Sequence, residues 1–92
     1  MLVEFDEFVL RVREPLEVLD VEPAFQHRHG EYALFIQEPY RAELHPLDAS
    51  HVRLLISAHG EAIRTVELPL TDDGAWLCWN GIVAVFEMSQ PQ

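Results

Sequence analysis

Ninety-two residues with 49% hydrophobic content describe a globular chain long enough for one core. Sixteen Asp and Glu stand against six Arg and no Lys, a formal charge of −10, which argues against direct binding to nucleic acid or to an anionic membrane. The single cysteine, Cys78, rules out an intrachain disulfide and points to a reducing compartment.

The N-terminus carries Glu4, Asp6 and Glu7 where a secretory signal would carry bases. No run approaches the roughly eighteen apolar residues of a membrane span. The expected location is the cytoplasm. Residues 1–88 are read as a single domain and residues 89–92 as a polar tail.

From Glu7 to Arg13 the chain alternates, with Phe8, Leu10 and Val12 on one side and Val9, Arg11 and Arg13 on the other. That period predicts a strand. Pro15 interrupts it, and Leu16 to Val21 is a second strand candidate ended by Pro23. Ala24 to Gln37 predicts a hairpin around His29-Gly30, with Arg28 opposite Glu31. Residues 38–50 contain two prolines and no evident period, and they read as a long loop. Tyr40 and Arg41 are its candidate contact residues.

His51 to Ser57 and Ala62 to Leu68 form the next predicted strand pair, joined at His59-Gly60. Thr71-Asp72-Asp73-Gly74 reads as a turn by composition. Ala75 to Phe86 then places two apolar runs around Asn80-Gly81, the signature of a type I′ hairpin. In that register both faces of the ribbon are apolar, so it must be covered twice, within the fold or by a second chain. His29-Gly30-Glu31 recurs as His59-Gly60-Glu61, a weak sign of duplication.

The sum is an all-β fold: a small antiparallel β-sandwich or barrel of about seven to eight short strands. Its three hairpins turn at His29-Gly30, His59-Gly60 and Asn80-Gly81.

Chemistry-bearing patterns are few. His27, His29 and Glu31 are spaced to share one side of a strand and are weak candidates for a metal site. No serine lies in a nucleophile-elbow context, no Lys is present for a Schiff base, and the four glycines are scattered rather than gathered in a phosphate loop. Trp76 and Trp79 fall on opposite faces of the predicted hairpin, too far apart for one stacking platform. The chain therefore reads as neither an enzyme nor a holder of an obligate cofactor.

The expected function is that of a non-catalytic acidic interaction protein. It would be a small inhibitor, an immunity or antitoxin-like partner, or an accessory subunit binding a basic protein surface. The candidate contact residues are Glu14, Glu17, Asp20, Glu22, Tyr40, Arg41 and Trp76, and a homodimer is a plausible companion state. The alternative is a metal- or small-ligand-binding β-barrel built on His27, His29 and Glu31.

Overall fold

The computed structural model describes residues 2–16 and 32–87. Their order is helix α1 (Phe5–Leu16), strands β1 (Ala33–Gln37), β2 (Tyr40–Pro46), β3 (His51–Ala58) and β4 (Glu61–Pro69), and helix α2 (Asp72–Phe86). The four strands make one antiparallel meander in the order β1-β2-β3-β4. The architecture is an open α+β sheet with helices on one side, not an all-β sandwich or barrel.

Two predicted β segments are helices, for the same physical reason. In α1, the alternation of Phe8, Leu10 and Val12 is overridden by the four-residue spacing of Phe8, Val12 and Leu16, with Val9 beside them. Those four are buried, whereas Leu10 is 57% exposed. Asp6 and Glu7 sit in the first turn, where the helix dipole favours negative charge, and Arg13 sits in the last. Glu7 accepts a hydrogen bond from Arg11 one turn later at 2.6 Å. Pro15 lies inside the helix and contributes no N–H to its hydrogen-bond ladder.

In α2, Thr71 is the N-cap and its hydroxyl accepts from the Gly74 N–H at 3.2 Å. Asp72 and Asp73 occupy the first turn. The segment predicted as a turn is therefore a helix start. Ala75, Cys78, Ile82 and Phe86 then recur at three- and four-residue steps and are all buried. Burial of this stripe overrides the β preference of Ile82, Val83 and Val85 and the turn preference of Asn80-Gly81. The predicted Asn80-Gly81 hairpin does not form.

Gly81 thus lies mid-helix, outside the positive-φ region. A methyl group there would meet Leu54 and Arg64 only at 3.9 Å, ordinary contact. Gly81→Ala is accordingly expected to stabilise the protein by about 0.5–1 kcal/mol, read as a higher denaturation midpoint. At a type I′ turn the same substitution would destabilise it.

Residues 38–50 are the third correction. Glu38 and Pro39, joined by a cis peptide bond, make a two-residue turn between Gln37 and Tyr40. β2 follows without a break to Pro46. Both prolines stand at strand boundaries, where no ladder hydrogen bond is lost, so they do not oppose a strand. The true linker is short: Leu47 donates to the His51 carbonyl at 3.0 Å and closes the β2–β3 turn.

The β3–β4 hairpin forms as its sequence predicts. His59 and Gly60 have φ of 54° and 81°, the two positive values a type I′ turn requires. The register places Phe35, Ala42 and Ile56 in one row and Leu44, Leu54 and Val66 in the next. These rows face the helices and, with Phe8, Val12, Cys78, Ile82 and Phe86, make the core. The predicted strand 16–21, beyond its first residue, and the hairpin at His29-Gly30 lie outside the described residues. No helix among the described residues is long and apolar enough to cross a membrane.

Candidate interaction surface

The buried stripe of α2 fixes what its other side must present. Trp76 and Leu77 lie between the stripe positions and point outward, 53% and 50% exposed. Exposed Asn80 and Ala84 continue the same side at helical spacing. Trp79, half-buried, meets Trp76 edge to face with ring centroids 6.3 Å apart. The two tryptophans are thus neighbours on one helix, not on opposite faces of a ribbon, because three residues make nearly one turn.

Acids border this apolar centre. Asp72 and Asp73 lie one turn before Trp76 and Leu77 on α2, and Glu87 lies just beyond its end, all three exposed. Arg11 of α1 pairs with both Asp72 and Glu7, which brings the Glu7 carboxylate to the same end. α2 itself contains no basic residue. The result is an apolar centre with a predominantly negative border.

Of the sequence-predicted contact residues, the structure leaves Trp76 on this surface and disperses the others it describes. Glu14 is exposed on α1. Tyr40 is not in a loop: it opens β2 on the helix-facing side, half-buried, its ring stacked 6.5 Å from that of Phe86. Arg41, next in the strand, is exposed on the opposite face of the sheet. Glu17, Asp20 and Glu22 lie outside the described residues, as do the metal candidates His27, His29 and Glu31. Among the described residues no group of three or more His, Cys, Asp or Glu could hold a metal ion. Sequence reasoning missed Leu77, Asp72, Asp73 and Glu7; the four- and three-residue spacing of Asp72 and Asp73 before Trp76 was the available signal.

One constellation invites a catalytic reading and does not sustain it. In the β2–β3 turn, Asp48, Ser50 and His51 share hydrogen bonds: Ser50 Oγ lies 2.9 Å from both Asp48 Oδ1 and His51 Nδ1. Asp48 Oδ1 is also 3.3 Å from His51 Nδ1 and accepts the Ser50 backbone N–H at 2.7 Å. Serine and aspartate thus crowd the same ring nitrogen, whereas a relay needs one on each. The cluster is an Asx-type turn. The Ser50 hydrogen bonds, backbone first, hold the exposed Asp48 carboxyl below its ordinary value, with a smaller contribution from His51.

Cys78 is in the α2 core and has no exposed surface. Burial pushes its thiol well above the ordinary 9.0. The thiolate is the reactive form, so in native protein Cys78 is expected to resist a disulfide reagent at pH 8 and to react fully in denaturant. Because the folded value is raised, the associated stability is complete below about pH 9 and declines as the pH rises beyond it. Labelling kinetics with and without denaturant check the first point.

No protein-family model matches this chain, and no curated protein or solved structure matches it either.

Proposed function

We propose that the protein is a non-catalytic interaction module that binds a basic protein surface through the outer face of α2. The observation that carries this reading is the pairing of Trp76 and Leu77, each half-exposed, on a helix whose core stripe is already complete without them. Tryptophan is enriched among the residues that dominate binding energy, and an apolar centre with a polar border is common interface anatomy. The border formed by Asp72, Asp73, Glu87 and Glu7 selects a partner with Arg or Lys around an apolar patch. The −10 charge accelerates encounter with such a partner. An inhibitor, an immunity or antitoxin-like protein and an accessory subunit all work in this way, and the charge balance and single buried thiol suit the cytoplasm.

Native mass spectrometry of protein purified gently from its own host tests the reading. The expected result is a complex heavier than the 10.6 kDa chain that contains a basic protein. Trp76→Ala should then weaken that complex by about 2 kcal/mol, roughly thirtyfold. The double reversal Asp73→Arg/Glu87→Arg should weaken it and flatten its salt dependence. A partner bound equally well by all three proteins would overturn the assignment of this face.

A further inference from the structure

α2 packs against α1, β2 and β4, and what these neighbours leave outside is a ridge along the helix. Its exposed residues are Asp73, Trp76, Leu77, Asn80, Ala84 and Glu87, separated by steps of three and four. Such steps keep to one side of a helix, and they are the spacing by which two helices lie side by side at about 20°. The far half of the ridge is low, because Ala84 is small beside Trp76.

Negative charge stands at the two ends of this ridge. Asp73 and Glu87 are fourteen residues apart, about 21 Å along the axis. Arg11 is shared by Asp72 and Glu7. Among the described residues, by contrast, no hydrogen bond or ion pair engages the side chain of Asp73 or Glu87. The cation beside α2 flanks its middle: the Arg64 guanidinium lies next to Gly81. Along the helix the order is therefore acid, apolar centre with a basic flank, acid.

That order narrows the occupant. A second copy of α2 laid parallel would set Asp73 against Asp73 and Glu87 against Glu87, and an antiparallel copy would set Asp73 against Glu87. Both arrangements repel, and α2 contributes no base to offset them. An extended strand laid on the ridge would hold its N–H and C=O groups against a helix whose own backbone groups are already bonded internally. A partner helix satisfies its own backbone and can carry cations at both ends.

We propose that the outer face of α2 binds an amphipathic helix of the partner, apolar over its central turns and bearing Lys or Arg at each end. This deepens the proposed function and rests on it. The apolar turns seat on Trp76, Leu77 and Ala84, and the terminal cations meet Asp73 and Glu87.

The test uses isotope-labelled full chain and a synthetic peptide, acetyl-Lys-Ala-Gln-Leu-Ala-Gln-Ala-Leu-Ala-Gln-Leu-Ala-Gln-Ala-Lys-amide, titrated at low salt. The expected result is amide NMR shifts at Asp73, Trp76, Leu77, Asn80, Ala84 and Glu87, with a gain of helical circular dichroism over the sum of the two components. The same peptide with Glu at both ends should bind at least about tenfold more weakly, and the order of the two should invert for Asp73→Lys/Glu87→Lys. A Lys-ended peptide with proline on both sides of its middle leucine keeps the charge but cannot form the helix, and should also bind at least about tenfold more weakly. Equal binding of the proline peptide would overturn the helical occupant while leaving the α2 face standing as the partner site. Equal binding of the Glu-ended peptide, or no inversion, would remove Asp73 and Glu87 as its selectors and overturn the inference too. Shifts only outside α2, or none, would also overturn it, with the α2 reading still decided by the Trp76→Ala comparison on the natural partner. A free protein of twice the 10.6 kDa chain mass, with α2 at its interface, would give the face to a second copy and overturn it as well.

Discussion

Gly74→Ala is expected to cost about 2–3 kcal/mol, the range of an overpacked core position. Gly74 is buried in the first turn of α2, where the helix folds back on the end of β4. A methyl group there would overlap the Pro69 carbonyl oxygen and press on Pro69 Cγ at 3.2 Å. The connection cannot yield easily, because it is held on both sides. Leu70 donates its N–H to the Ser50 carbonyl at 2.9 Å, and its own carbonyl accepts from Val3 at 2.8 Å. Moving Pro69 would disturb both bonds and the β3–β4 register. For a domain of this size the expected loss lowers the melting temperature by about 10 °C or more, measurable by circular dichroism. Paired with Gly81→Ala, the experiment has opposite expected signs for one chemical change in one helix. A Gly74→Ala protein as stable as the parent would mean that α2 does not begin against Pro69.

What was legible in the sequence, and what was not, follows from how local each signal is. The β3–β4 hairpin was legible because a tight turn and the strands beside it are neighbours in the chain, and His59-Gly60 supplies the backbone geometry directly. The Asn80-Gly81 pair carries the same kind of signal, yet there it yields to a distant cause. Ile82 and Phe86 gain more from burial against the sheet than a two-stranded ribbon could provide. α1 illustrates a smaller failure: Phe8, Leu10 and Val12 fit a two-residue period, and only Val9 and Leu16, read with Glu7 and Arg11, favour the helical one. β2 was concealed by prolines, although Tyr40, Ala42 and Leu44 alternate with Arg41, Glu43 and His45 as a strand should. The candidate surface inherits these errors. Trp76 was identified by residue type, but its neighbours depend on α2 being a helix, so Leu77 and the acids of the first turn could not be joined to it.

Ile82→Ala and Leu77→Ala should separate the two sides of α2. Ile82 has no exposed surface and packs in the core among side chains from both helices and the sheet. Its truncation removes that packing and leaves a cavity, at an expected cost of about 2–5 kcal/mol. Leu77 is 50% exposed, so its truncation should change stability by less than about 0.5 kcal/mol. In a ribbon turning at Asn80-Gly81 the two residues would share a face, and their costs would be similar. Urea denaturation therefore decides between the two architectures by the ratio of two numbers, independent of any assumed total stability. The same pair bears on function from the opposite direction. If the outer face of α2 holds the partner, Leu77→Ala should fold normally and bind weakly. Any binding loss in Ile82→Ala should then track the fraction unfolded. A Leu77→Ala protein that folds and binds like the parent would leave the apolar centre of that face to Trp76 alone.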